Sequence, residues 1–352
     1  MLKFLQEYIN VNKEKMIDFA DFMSQALYHP IYGYYMRSDE KIGAKGDFIT
    51  SSNIADIYGR IVAKWYQREA EEHNLPASVC EIGAGNGRFA KAFIEEWNAI
   101  SNKTLYYYLI DESKDHRKLQ SQLLPQTEHI QQMNQLEELS SFSGLIFSNE
   151  LFDAFPVHVI ERVDGELVEV MVAFDNGKLI EKKMPVKNVR MINFLKQSSI
   201  HLVDGQRIEI PLEMEPMLIR MAGVLERGFI LTVDYGYSDQ EWQEPARKNG
   251  SLRGYRKHQM ISDVLQYPGE MDLTSHVHFD SLIRIGETAG LSFVKKWRQD
   301  EFLLDAGILE ELTNHADIDP FSEASKRNRA IRSLLMTSGI SQTFHVILQQ
   351  KQ

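Results

Sequence analysis

The sequence predicts an α/β fold: a Rossmann-like sheet of seven strands, with a helical N-terminal region and an inserted β-meander and helix. Three observations predict it. From residue 78, apolar runs of strand length alternate with helical stretches: SVCEIG, GRFAKAFIEEW, LYYYLIDES, a Gln- and Leu-rich helix, then GLIFSNE. Strands that are apolar on both faces, with helices between them, make a parallel sheet covered by helices. Near residue 157 the rhythm changes to alternating strands around two turn signals, Asp164-Gly165 and Asn176-Gly177, which mark hairpins. The chain then closes with a helix, a strand, a helical stretch and a last strand, QTFHVILQQ. That ending suits a sheet whose final strand runs antiparallel at or near the edge.

Each element follows in order. Residues 1–75 read as a helical cap region, with a Gly- and Tyr-rich loop before the helix IADIYGRIVAKWYQREAEE. Residues 76–156 hold the first half of the α/β core. Residues 157–227 hold the inserted meander and a helix, PLEMEPMLIRMAGVLERG, predicted to end at Gly228. Residues 228–352 hold the second half: the buried strand FILTVDYGY, the helix FDSLIRIGETAG closed by Gly290, the strand LSFVKKWRQ and the final strand.

Composition narrows the function. The 352 residues are 43% hydrophobic, enough for a large core, and carry a net charge of −11. A general nucleic-acid binder is usually basic, so no nucleic-acid partner is expected. The single cysteine, Cys80, excludes an internal disulfide framework and a Cys-based zinc site, and fits a reducing compartment. No apolar run reaches the roughly 18–20 residues that span a bilayer. The N-terminus shows neither signal nor transit features, so the expected location is cytoplasmic, with no membrane insertion.

The loop after the first core strand reads Gly83-Ala84-Gly85-Asn86-Gly87. Its G-x-G-x-G spacing is neither a P-loop nor the dinucleotide fingerprint G-x-G-x-x-G. Glycine lets a ligand touch backbone, and the helix that follows offers free N–H groups. Asp111, followed by Glu112, ends the second strand 24 residues after Gly87, where a carboxylate can accept hydrogen bonds from a ribose diol. Glu81 ends the first strand and could hold the ammonium of an amino-acid tail. An acid just before the glycines suits a cationic ligand such as S-adenosylmethionine better than a pyrophosphate.

These features, with FADFMSQALYHPIYGYY, GDFITSS, EIGAGNGRFA, SNELFDAFPVHV, LTVDYGY, GSLRGYRKH and PGEMDLTSHVHF, make the chain resemble the MidA-like family of S-adenosylmethionine-dependent methyltransferases along nearly its whole length. That family includes the mitochondrial arginine methyltransferase that assists assembly of respiratory complex I. The resemblance implies a class I methyltransferase core with added elements covering the active site, S-adenosylmethionine as cofactor, and an arginine acceptor on a protein. It also implies that the loop with Gly46, Asp47, Phe48 and Thr50 folds over the cofactor. The cluster Arg253, Tyr255, Arg256 and His258 would border the active site. His276 matches the family pattern; His278 does not. Glu209 matches a family acid without an assignable role.

In doubly wound sheets, chemistry sits in loops at the carboxyl ends of strands. Ser148, Asn149, Glu150 and Asp153 follow the fourth strand and are placed beside the transferred methyl, with Asn149 also a cofactor contact. A guanidinium binds carboxylates through paired hydrogen bonds. Glu150 is the first choice to orient it and Asp153 the second, unless Asp153 caps a helix. Asp234 ends the fifth strand and serves either catalysis or loop backbone; Tyr235 beside it could shape the acceptor pocket. Asp272, Thr274, His276 and His278 could suggest a metal, but methyl transfer needs none and no metal is expected.

The expected function is methyl transfer to a protein side chain, most readily arginine. A small-molecule acceptor and a non-catalytic assembly factor that binds S-adenosylmethionine are the alternatives, with an oxidoreductase a distant fourth. The exposed meander could support a homodimer.

Overall fold

The structure is a computed structural model. It describes residues 1–37, 52–257, 259–312, 322–335 and 344–352. The chain forms two compact units. Ile49–Leu151, Ile219–Tyr235 and Gly286–Gln352 form the sheet unit; Met1–Phe48, Phe152–Leu218 and Gly236–Ile285 form the meander unit.

The sheet unit is built on seven strands, numbered in chain order: β1 (Ser78–Ile82), β2 (Tyr106–Ile110), β3 (Ile130–Met133), β4 (Phe142–Asn149), β5 (Leu225–Tyr237), β6 (Ser292–Arg298) and β7 (Phe344–Lys351). Across the sheet they run β3-β2-β1-β4-β5-β7-β6. The pairs from β3 to β5 are parallel, and β7 is antiparallel to both of its neighbours. This is the seven-stranded α/β sheet the sequence predicts. Strand β1 is buried at every position, as expected where helices cover both faces.

Helix Ser52–Glu72 contributes Trp65 and Tyr66, and helix Arg88–Ile100 contributes Phe93 and Trp97, to a core shared with Val79, Leu109, Phe147 and Leu231. Phe89 stacks on Phe147 with ring centroids 4.3 Å apart. Each large side chain taken fully from water contributes about 2–3 kcal/mol.

Two predicted elements need correction. The helix expected to end at Gly228 stops at Val224, and β5 already begins at Leu225. Gly228 lies inside the strand at φ +137°, where an added Cβ would meet the Gly144 carbonyl oxygen at 1.9 Å. Close strand approach, not helix termination, requires this glycine. The Gln- and Leu-rich stretch expected as a helix before GLIFSNE gives helix Lys114–Leu123 and then strand β3. Its sequence, IQQM, is half polar and only partly buried, as an edge strand allows, so it shows no apolar period.

In the meander unit, the strands His158–Val163, Glu166–Asp175 and Lys178–Pro185 are joined by the two predicted turns. Asp164 and Gly165 have φ of 51° and 84°, and Asn176 and Gly177 have 46° and 82°, as type I′ hairpins require. Strands Met16–Asp18 and Arg207–Ile210 complete a five-stranded sheet. Helices Leu2–Val11 and Phe19–Tyr28 bury Leu5, Ile9, Phe19 and Phe22 with Val159, Val170 and Val172. The N-terminal helices and the meander thus share one core, and helix Ser52–Glu72 belongs to the other unit.

Where Met16–Asp18 meets the meander, His158 Nδ1 lies 3.0 Å from Glu169 and 3.8 Å from Asp18. Burial alone would lower its pKa. The Glu169 hydrogen bond and the charges of Asp18, Glu169 and Asp21 outweigh that and carry it upward. The basic stretch of residues 253–256 is the middle strand of a third, three-stranded sheet, between Gln259–Ile261 and Asp272–Thr274. Among the described residues, no helix is long and apolar enough to cross a membrane.

Candidate active site

At the end of β1 the chain turns through Gly83, Gly85 and Gly87 at φ of 76°, 52° and 80°. The amides of Gly83 and Ala84 donate to the Ile110 carbonyl at 2.9 and 3.2 Å. Gln120 Nε2 donates to the Gly85 carbonyl at 2.8 Å. A Cβ added at Gly85 would meet none of the described residues within 4 Å, so among them the turn presents an open stretch of backbone. Gly87 caps helix Arg88–Ile100.

Two acids flank this turn. Glu81 is buried, and Tyr107 Oη donates to its Oε2 at 2.7 Å. Burial pushes its pKa up to about 8 against the opposing Tyr107 bond, and the Asp111 charge adds to the rise. It is mostly protonated at neutral pH. Asp111 is also buried. Its Oδ2 accepts from the Gly85 amide at 2.8 Å, its Oδ1 accepts from the Ser113 amide at 2.9 Å, and His116 Nδ1 lies 3.2 Å from Oδ2. The acid at the end of β2 therefore pins the glycine turn itself. Glu112 beside it is exposed.

At the end of β4, Ser148 is fully buried, and its hydroxyl has no partner among the described residues. Asn149 Nδ2 donates to Glu150 Oε1 at 3.1 Å. Glu150 takes a left-handed backbone, φ 48°, and its amide donates to the Val233 carbonyl of β5 at 2.9 Å. A non-glycine residue there is strained by about 1 kcal/mol or more, and the bond to β5 holds it. The Glu150 side chain reaches solvent, yet surrounding protein raises its pKa while Asn149 opposes the rise.

Tyr58, on helix Ser52–Glu72, is a residue the sequence reading missed. It is buried, and its hydroxyl has no partner among the described residues. Burial first, then the Glu150 charge, raises its pKa. Nothing distinguishes it in sequence from the apolar stripe of its helix. Asp234 is fully buried, and its Oδ1 accepts from the Tyr235 amide at 2.9 Å. Tyr235 meets Phe344 edge-on at 5.3 Å.

The meander unit gathers the other named residues. Asp153 and Asp272 are buried. Tyr35 Oη donates to Asp272 Oδ1 at 2.7 Å, Tyr28 Oη donates to the Ala154 carbonyl at 2.9 Å, and the two rings stack 5.5 Å apart. Tyr255 feels the charges of Asp153 and Asp272 and the opposing charge of Arg253. No helix follows Asp153; a turn leads into strand His158–Val163, so the capping alternative is removed.

The Arg253 guanidinium donates to the Leu252 and Gly250 carbonyls at 2.7 and 3.3 Å and makes no ion pair among the described residues. Arg256 instead pairs with Glu270 at 2.7 Å and covers the Tyr267 ring. His276 stacks on Tyr237 at 4.5 Å, and the Arg247 guanidinium lies 4.0 Å from the centroid of that ring. Burial, then Arg253 and Arg247, press its pKa down to about 4. His278 is fully buried, stacks on Trp242 at 4.4 Å and bonds the Glu209 carbonyl at 2.8 Å. Its pKa falls to about 3, through burial above all. The two histidines thus serve different partners. Thr274 is buried in the strand Asp272–Thr274. Gly46, Asp47, Phe48, Thr50 and His258 lie outside the described residues.

Residues 59–296 match the family described as "Putative S-adenosyl-L-methionine-dependent methyltransferase". The chain belongs to this family. S-adenosylmethionine is accordingly the cofactor of this methyltransferase. It is 29% identical over 306 residues to the Drosophila melanogaster protein arginine methyltransferase NDUFAF7 homolog, mitochondrial, with 78% of this chain and 67% of that protein covered. It is 25% identical over 349 residues to human protein arginine methyltransferase NDUFAF7, mitochondrial, with 90% and 75% covered. A Burkholderia thailandensis protein, crystallised with S-adenosyl-homocysteine, shares the fold at a TM-score of 0.89 and 24% identity, over 99% of this chain and 92% of that one.

The residues of the methyltransferase fit its cofactor. The open backbone at Gly85 leaves room for a ligand against the turn. Glu81 is a buried carboxyl that ionises readily only beside a cation.

Proposed function

We propose that this methyltransferase methylates a guanidinium nitrogen of an arginine side chain on a protein. The observation that carries the reading is Glu150. It is a carboxylate at the carboxyl end of a central strand, fixed in a strained backbone and braced by Asn149. Two relatives named as protein arginine methyltransferases support the acceptor.

In this reading Glu81 binds the ammonium of the cofactor's amino-acid tail, and Gly83, Ala84, Gly85 and Gly87 give it a surface of backbone. Asp111 and Glu112 meet its ribose, and Asn149 bridges cofactor and acceptor. The bound cofactor supplies an electrophilic methyl on a sulfonium. Glu150 accepts guanidinium N–H bonds, holds the delocalised charge on one side and leaves the reacting nitrogen its lone pair. Asp153, in the meander unit, is a further acid proposed for acceptor binding. His276, neutral at physiological pH, keeps a lone pair for a proton. The relatives are named mitochondrial; for this chain we retain the cytoplasm and a protein partner as the proposal.

The test is labelled S-adenosylmethionine added with purified protein to a lysate, followed by hydrolysis of the protein fraction. Label in methylarginine is expected. Label confined to small molecules, or to other amino acids, overturns the proposal. So does tight cofactor binding without any transfer.

A further inference from the structure

Glu209 matches a family acid, and its hydrogen bonds lie within the meander unit. It lies on strand Arg207–Ile210 and is 1% exposed. Its Oε2 accepts from both the amide and the hydroxyl of Ser251, each at 2.8 Å. The Ser251 hydroxyl in turn accepts from the His276 amide at 2.9 Å. The Glu209 backbone carbonyl takes His278 Nε2 at 2.8 Å. One residue thus binds two segments far apart in sequence.

The turn at Gly250 is shaped to this carboxylate. Gly250 has φ +70°, and an added Cβ would lie 2.2 Å from Glu209 Oε1. That oxygen has no hydrogen-bond partner among the described residues. A buried carboxylate with one bare oxygen is costly and is a poor choice for stability alone. Arg253, which donates to the Gly250 carbonyl, is oriented by the same turn.

We infer that Glu209 is a positioning residue: through Ser251 it holds the Gly250–Arg253 turn and His276 in the arrangement that acceptor recognition requires. The inference rests on the proposed function for the meaning of "acceptor", but the clamp itself can be tested without one. Release of the clamp frees His276 to reach water and lets Arg253 move away. Both changes raise the imidazole pKa. Removal of a nearby carboxylate shifts an imidazole pKa down, not up. An upward shift therefore reports position rather than charge.

The experiment is a histidine NMR titration of the full chain, with the His276 signal assigned from His276→Gln. Glu209→Ala and Ser251→Ala should each raise the His276 pKa by about one unit or more. The double variant should raise it by clearly less than the sum of the two, because both remove the hydroxyl link between Glu209 and the His276 amide. Glu209→Gln, which keeps an oxygen for Ser251, should leave it low. Affinity for S-adenosylhomocysteine should stay within about twofold in all of them, since the glycine turn is untouched. An unshifted His276 in both single variants overturns the inference. So do additive effects, or a Gln variant that behaves like the Ala one. If Glu209→Ala does not fold, Ser251→Ala and Gly250→Ala carry the same test. With labelled arginine as readout, the clamp variants should raise the acceptor KM by about tenfold, and unchanged transfer counts against the role. If wild type labels no arginine, the proposed function fails while the titration still decides the clamp.

Discussion

The glycine turn of the sheet unit is built from backbone. Three glycines in left-handed conformations, one acid at the end of the neighbouring strand and one glutamine from the helix Lys114–Leu123 shape it. The acid–tyrosine–histidine cluster of the meander unit is built from side chains. Its bonded groups, Tyr35 with Asp272, Tyr28 with the Ala154 carbonyl, and Glu209 with Ser251 and the His276 amide, come from segments spread over most of the chain. The first arrangement suits a ligand that never changes, because backbone cannot be altered by substitution except at the glycines. The second suits a variable acceptor, because each side chain can change singly. The comparison predicts that damage to the turn abolishes cofactor binding in one step, while damage to the cluster is graded.

The largest expected effect follows. Gly85→Val places a branched side chain in the open space above the turn, in a backbone that only glycine adopts freely. Affinity for S-adenosylhomocysteine should fall by roughly 100-fold or more, measured by calorimetry. The His276 NMR signal should not move. Unchanged affinity would show that the ligand does not approach this face, and the contrast between the two regions would collapse.

The same contrast explains what could be read in the sequence. The sheet and its turn announce themselves through local signals: apolar strands, G-x-G-x-G, and an acid at the end of β2. The hairpins announce themselves through Asp-Gly and Asn-Gly. The hydrogen-bond partners of the named acids were not legible. Asp111 holding the Gly85 amide, Glu81 lying under Tyr107 and Glu209 reaching Ser251 depend on strand order and register, which only the fold supplies. Tyr58 was invisible for the same reason. Its hydroxyl, without a partner among the described residues, becomes informative only once burial is known. Gly228 misled because glycine ends helices as readily as it permits close strands.

A smaller effect, on turnover alone, is expected of Glu150→Gln. The side chain keeps its shape and the bond from Asn149 but loses its charge. Methyl transfer should fall by roughly 100-fold, while affinity for S-adenosylmethionine stays within a few-fold, because the charge matters mainly in the reacting complex. Equal losses in binding and turnover would make Glu150 part of the cofactor cradle and remove the observation behind the arginine assignment.

The smallest effect is on pH dependence, and it sharpens the comparison most. At pH 7 both regions hold a neutral titratable group, for opposite reasons. Glu81 is neutral because burial raises it to about 8, and His276 because burial and two guanidiniums lower it to about 4. If Glu81 must ionise to hold an ammonium, binding has to release its proton wherever the free protein carries one. Cofactor affinity should then rise about tenfold per pH unit toward pH 8 and fall again once the cofactor's own ammonium loses its proton. Glu81→Gln should remove that slope and leave affinity at the weak, low-pH level. The raised pKa also means that the ligand-free fold loses stability as pH rises from about 4.5, the ordinary value, through about 8. Bound cofactor should reverse that loss, so the gain in melting temperature on binding should be larger at pH 8.5 than at pH 6. His276 predicts no titration in this window, because its change lies near pH 4. A flat affinity profile in wild type would mean that Glu81 stays protonated with the cofactor bound and only donates a hydrogen bond. The ammonium would then need another partner.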